Sequence, residues 1–393
     1  MASKNDRVRR ASAYAADVSS GNDTSPRRKQ IVLALAGGNA LGAYGAGAYE
    51  ALHGRGYAPD VVSGASIGAV TGGIIAGNAP AQRLEKLREF WRQAAVGSAF
   101  GLAPAAGKPR EYYNLMHALQ TLAIGRPGLF NPRLPGLMSL LPGMPPDVAL
   151  FDSKPLVATL QRVIDFELLN TAAVPLVIGT VDMQNGESVF FDTRRQKLEP
   201  VHFLATTAFT PGFPPVEIDG RLLADPGLIS NLPIDAVLDP PPPDDVLCFA
   251  VDLFDANGAR PYSLDTGLER AQDIVFSTQA LRTIEARSRE HRLRHMIHEL
   301  SALSPPEKRA GRRAELAAEG RANEIAMVLV AYRAPAHEMS AKTVDFSRAS
   351  IDERWAAGLS DMNAALDRLE ARTATFAADG YAFYDGRRER ARP

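Results

Sequence analysis

The sequence predicts an α/β protein: a mainly parallel sheet, with a helical extension toward its C-terminal end. Three observations predict it. Short apolar runs rich in Val and Ile stop at glycines, as strands buried on both faces do. Helical patterns follow them after links of only a few residues. Strand-like runs then recur deep into the second half of the 393-residue chain, so one sheet must draw on both halves.

The order of elements follows from local pattern. "QIVLALAGG" reads as the first buried strand, after a polar, Ser-rich stretch over 1–29 that reads as a disordered tail. In "ALGAYGAGAYEALHGRG", Leu41, Tyr44, Ala48 and Leu52 recur at helical spacing, and Gly54 and Gly56 supply the stop. "YAPDVVSG" gives the second strand and "SIGAVTGGIIAGN" the second helix. From 97 to 150 the chain is rich in Pro, Gly, Leu and Met without sustained periodicity, which predicts an inserted cap. Further strands are expected at 175–181, 187–192, 245–253 and 325–332, and charged helices between 266 and 325. The boundaries read as a main domain over 30–240, an extension over 241–376 and a frayed tail over 377–393.

Composition excludes several classes. With 46% apolar and 23% charged residues, and 44 basic side chains against 45 acidic, the chain has no overall attraction to nucleic acid. Its single cysteine, Cys248, sits inside the apolar run "VLCFAVDLF", so it reads as a small core residue and no disulfide framework exists. The first 29 residues lack the apolar segment of a secretory signal, and no run approaches ~18 apolar residues, so a cytoplasmic protein is expected. His291, His295 and His298 lie at helical spacing among basic neighbours that repel a cation. They read as a solvated helix face, and no metal is expected. A basic face against anionic lipid headgroups is the softer alternative.

The chemistry centres on "GASIG". Gly64, Ala65, Ser66, Ile67 and Gly68 match G-x-S-x-G, a sharp strand-to-helix turn that pushes a serine hydroxyl into the open and aims helix amides at it. The bland alternative is a helix-capping serine. Position favours the first reading, because the motif falls between a predicted strand and a predicted helix. The earlier turn, Gly37, Gly38, Asn39, Ala40, Leu41 and Gly42, fits either a loose dinucleotide fingerprint or a set of bare amides that bind an oxyanion. Asp225, at the end of a short apolar run, is either a general base or an Asx-turn residue.

Three stretches, "LALAGGNALGAYGAGAYEAL", "GASIGAV" and "ATTAFTPGFPPVEIDGRLLADPGLISNLPI", resemble in order the signature blocks of patatin-like phospholipases, over about residues 30–240. The resemblance implies a three-layer α/β/α fold and hydrolysis of fatty-acyl esters through an acyl-serine. In it Ser66 is the nucleophile, Asp225 its partner in a dyad without histidine, and the amides of Gly37, Gly38 and Asn39 the oxyanion hole. It implies no metal or organic cofactor, a lipid substrate, and room for peripheral contact with a membrane. The chain after 246 resembles the C-terminal extension of a bacterial subgroup of that family.

Two residues depart from the family pattern. Asn39 stands where a third glycine is usual, and Pro226 follows Asp225 where Gly is usual, fixing φ and removing an amide. These departures motivate an alternative: a patatin-like scaffold that binds lipid or regulates without turnover. A triad using His291, His295 or His298 is disfavoured because none follows a strand in a loop, and His202 reads as a packed side chain. Headgroup, bond position and oligomeric state are left open.

Overall fold

The computed structural model describes residues 29–97, 103–239, 241–303, 305, 311–371 and 380–386. Strand β1 (Lys29–Leu35) leads through a 3-10 turn at Asn39–Gly42 into α1 (Ala43–Gly54), then β2 (Val61–Gly64), α2 (Ile67–Ala76) and α3 (Arg83–Ala94). The predicted insert contains α4 (Gly107–Ile124) and a small hairpin of β3 (Asn131–Pro132) and β4 (Phe151–Asp152). There follow α5 (Pro155–Val163), α6 (Phe166–Leu169), β5 (Leu176–Asp182), β6 (Ser188–Asp192), α7 (Pro200–Thr206), β7 (Val216–Ile218), β8 (Arg221–Ala224) and α8 (Asp235–Leu238). The extension supplies β9 (Asp245–Asp252), α9 (Leu264–Ala302), α10 (Arg312–Ala317), β10 (Ile325–Ala331), α11 (Arg348–Ala371) and β11 (Tyr381–Asp385).

The strands form one mixed sheet in the order β11-β10-β9-β1-β2-β5-β8-β7, with β6 also paired to β5. From β11 to β5 every neighbour is parallel; β6, β7 and β8 pair antiparallel at one edge. Helices cover both faces. That burial explains why β5 and β10 are solvent-excluded along their whole length, and why β10 reads as an unbroken apolar run. The first strand pairs with β9 of the extension on one side and β2 on the other, so main domain and extension share one core. Cys248 lies in it, fully buried, its thiol pushed up to about 12 by desolvation.

Helices α1 and α11 pack at glycine contacts. A Cβ on Gly47 would overlap the Trp355 carbonyl, and one on Gly358 would overlap that of Tyr44. Substituting either glycine must push the two helices apart.

Three expectations are corrected. The insert is more regular than its sequence suggests: α4 buries Arg110, Tyr113, Asn114, His117, Ala118 and Thr121 on one face. Most of these are polar, which hides the stripe from a hydrophobic pattern; Arg110 is satisfied by Asn114 and Glu353. The supposed tail over 377–393 includes β11, which adds a parallel edge strand to β10; its remaining residues lie outside the described ones, as does nearly all of the 1–29 tail. His291 is not solvated. It is 3% exposed, with Nε2 3.0 Å from the Asn323 carbonyl.

Candidate active site

The site lies beyond the carboxyl ends of the adjacent parallel strands β1 and β2, where open parallel sheets place their ligand crevices. Ser66 follows β2 directly. It holds φ 52° and ψ −125°, a strained conformation for a residue with a Cβ, and helix α2 starts at the next residue. The flanking glycines are sterically required: a Cβ on Gly64 would come within 2.5 Å of the Ala69 amide nitrogen, and one on Gly68 would overlap the Leu35 carbonyl. Sharp reversal leaves Ser66 partly exposed while Ala65 and Ile67 are buried. The Ser66 amide donates to Thr206 Oγ1 at 3.0 Å, and that hydroxyl donates to the Gly179 carbonyl at 2.6 Å, tying the turn to α7 and β5.

Asp225 follows β8 and is 2% exposed. Burial raises its pKa to about 6, and hydrogen bonds from the Ser66 hydroxyl and the Gly227 amide hold it from rising further. The two side chains, far apart in sequence, therefore meet. Pro226 does not misdirect the carboxyl. It occupies the first position of a 3-10 turn, Pro226–Leu228, where its fixed φ suits the geometry and no amide is needed.

In the 37–42 turn, Asn39 has φ 51°, which Asn tolerates better than most residues. The three expected oxyanion amides are not equivalent. Gly37 N donates to the Asn231 carbonyl at 3.1 Å and is taken up inside the protein. Gly38 and Asn39 are partly exposed and line the cavity, and among the described residues neither amide has a backbone acceptor. Gly37 still has to be glycine, because a Cβ there would come within 2.9 Å of Ser66 Cβ.

Ser66, Asp225, Gly38 and Asn39 open into a cavity of about 280 Å³. Half of the chain's 16 phenylalanines line it: Phe90, Phe130, Phe151, Phe209, Phe213, Phe254, Phe276 and Phe346. No histidine is among the described residues that line it; His202 instead caps α7, with Nδ1 accepting the Glu199 amide at 2.9 Å, and packs on Phe191.

A family model described as Patatin-like phospholipase matches residues 33–238, more than half of the chain. The chain belongs to this family. A second model, described as Patatin phospholipase, matches 274–375, within the C-terminal extension of this patatin-like chain. Uncharacterized NTE family proteins of Mycobacterium bovis and Mycobacterium tuberculosis are 25% identical to it over 263 residues, 67% of this chain; the chain spans 59% of their length. Among solved structures it resembles VipD from Legionella pneumophila, with a TM-score of 0.35 and 16% identity over 84% of this chain and 67% of that one.

Several positions in this patatin-like site had no signal in the sequence. Thr206 is one of several threonines in "ATTAFT", and only the fold selects it to hold the Ser66 amide. Asn231, 3% exposed, donates from Nδ2 to the Gly37 carbonyl at 3.0 Å and so joins the Asp225 loop to the glycine turn. The extension brings Phe254, Gln272, Phe276 and the segment around Phe346 into the cavity wall. Among the described residues no group of three His, Cys, Asp or Glu could hold a metal ion.

Proposed function

We propose that the protein is a serine acyl hydrolase that cleaves fatty-acyl esters with a Ser66/Asp225 dyad. The observation that carries this reading is the Ser66 hydroxyl set beside a buried carboxyl of pKa about 6, at the base of a phenylalanine-lined cavity. An ordinary aspartate, near 3.8, is too weak a base to assist a serine hydroxyl; one near 6 takes the proton more readily and is still ionised at neutral pH.

The steps follow from that geometry. Asp225 accepts the hydroxyl proton as Ser66 Oγ bonds to the ester carbonyl carbon. The amides of Gly38 and Asn39 stabilise the oxyanion, helped by the N-terminus of α2. The intermediate collapses, the C–O bond breaks, and the leaving alcohol takes the proton from Asp225. An acyl-serine remains. Water then gives a proton to Asp225 and attacks the acyl carbon, and Ser66 leaves with that proton, releasing the fatty acid.

The surroundings support a lipid substrate. The insert leaves the cavity wall at Phe130 and rejoins it at Leu150. Between them Arg133 and Asp147 clamp the base of a loop through bonds of 2.8 and 3.1 Å, and residues 134–146 carry no charge. Leu134, Leu137, Leu140 and Leu141 are exposed on that loop, a surface suited to peripheral contact with a lipid layer. Among the described residues no helix is long and apolar enough to cross a membrane. Against a scaffold without turnover stand Asn39, of a residue type that tolerates its φ of 51° better than most, and Pro226, at a turn position that needs no amide.

The test is hydrolysis of p-nitrophenyl fatty-acyl esters together with labelling by a fluorophosphonate. Turnover and labelling lost in Ser66→Ala, with turnover also lost in Asp225→Asn, are expected. Unchanged turnover in Asp225→Asn would refute the dyad.

A further inference from the structure

Arg354 lies on α11, in the extension, yet ends beside the glycine turn. It is fully buried, and each of its three guanidinium nitrogens has an acceptor. Nε donates to Glu338 Oε1 at 2.9 Å, and Nη2 meets the same oxygen at 2.8 Å and the Lys342 carbonyl at 3.0 Å. Nη1 donates to the Asp345 carbonyl at 2.9 Å and to the Ala40 carbonyl at 3.3 Å.

The last of these bonds starts a continuous path. The Ala40 carbonyl and the Leu41 amide belong to one planar peptide unit, and Leu41 N donates to the Gly38 carbonyl at 3.0 Å. The Gly38 carbonyl shares its own peptide plane with the Asn39 N–H, which points the opposite way across a trans peptide. Fixing the Ala40 carbonyl thus fixes the Gly38 carbonyl, and through it the direction of the Asn39 amide. Each bond also polarises the next, strengthening Asn39 as a donor. The turn needs such a hold, because Asn39 sits at a φ of 51° that a residue with a Cβ does not adopt by preference.

We infer that Arg354 is a positioning residue for the oxyanion amide of Asn39, and that the C-terminal extension therefore takes part in catalysis rather than only in folding. The same guanidinium holds the carbonyls of Lys342 and Asp345, which bracket Thr343 and Val344 in the cavity wall. One buried cation thus sets the oxyanion turn and the acyl wall in register. This inference rests on the hydrolase reading above.

Two variants test it. Arg354→Met combined with Glu338→Gln removes both charges of the buried pair, so neither is stranded, and Gln keeps an acceptor for the Tyr332 hydroxyl that now donates to Glu338. Arg354→Lys keeps the charge but has no fork with which to bond Glu338 and Ala40 together. At a temperature where each variant is folded by its thermal unfolding curve, kcat for a p-nitrophenyl ester is expected to fall roughly 10- to 100-fold. KM should stay within about threefold, because the interaction is made in the transition state. The acid limb of the pH profile, which belongs to Asp225, should not move. Hydrogen exchange at the Leu41 amide should quicken at least tenfold in Arg354→Lys. Wild-type kcat in either folded variant, or unchanged exchange at Leu41, overturns the inference. If the double variant does not fold, Arg354→Lys alone decides. Failure of the hydrolase reading looks different: the unmutated protein would show neither turnover nor labelling, while the exchange result would still report on the turn.

Discussion

Across Pro226, the Gly227 amide donates to Asp225 Oδ1 at 2.8 Å, and the Ser66 hydroxyl lies beside the same carboxyl and helps to hold its pKa down. The proline that breaks the family pattern thus completes a short turn that aims the carboxyl at the serine. Burial then raises this carboxyl's pKa to about 6. The base must be ionised to act, so kcat/KM for a soluble ester should fall about tenfold per pH unit below ~6 and level off above ~7. A pH profile with no inflection between 5 and 7 would speak against Asp225 as the base.

Asp225→Asn carries a second consequence with a definite sign. The folded-state pKa, about 6, lies above the ordinary 3.8, so the fold favours the neutral acid. Its stabilising contribution is complete below about pH 4 and is lost as pH rises through 6. A shift of about two units corresponds to roughly 3 kcal/mol. The Asn variant should therefore be inactive yet more stable than the unmutated protein at pH 8, with the difference closing by pH 4. Denaturant unfolding at both pH values measures it.

Ser66 stores strain, since its φ of 52° is paired with ψ of −125°. Relief of such a conformation is worth on the order of 1–3 kcal/mol, less the entropy that glycine adds to the unfolded chain. Ser66→Gly should melt above Ser66→Ala, with both unreactive toward a fluorophosphonate. Equal melting temperatures would mean that the turn is not strained.

Asn39 separates tolerance of a backbone angle from identity of a side chain. Gly adopts φ 51° freely, so Asn39→Gly should keep kcat within about threefold. A β-branched side chain resists that angle, so Asn39→Val should lower kcat at least about tenfold by turning the amide away. Steady-state kinetics on the two variants distinguish these outcomes.

The exposed loop between Arg133 and Asp147 should matter only at a lipid surface. Replacing Leu137 and Leu140, 67% and 79% exposed, by Ser removes apolar area without touching the cavity. Hydrolysis of vesicle phospholipid is expected to fall about tenfold, while that of a soluble short-chain ester stays within about twofold. Equal loss on both substrates would show a folding defect instead.

Local pattern made much of this legible. Strands β1, β2, β5, β9 and β10 stand close to where apolar runs ending in turns predict them, because a parallel strand buried on both faces has no other composition open to it. Helix α4 was hidden, since its buried face is carried by Arg110, Asn114, His117 and Thr121, and the first two find partners far along the chain, at Glu353 and the His337 carbonyl. Strand β11 was hidden for a related reason: five residues become a strand only beside an edge that β10 offers.

The sequence by itself determined the fold class and the serine turn, which depend on sterics or periodicity within a few neighbouring residues, and it marked Asp225 only through the resemblance of its block to the patatin-like family. Only the tertiary structure decided that Gly37 gives its amide to Asn231, that Thr206 holds the serine, that burial raises Asp225, and that Arg354 reaches the glycine turn from over three hundred residues away. Those facts depend on which distant groups share a desolvated space, and local pattern carries no record of that.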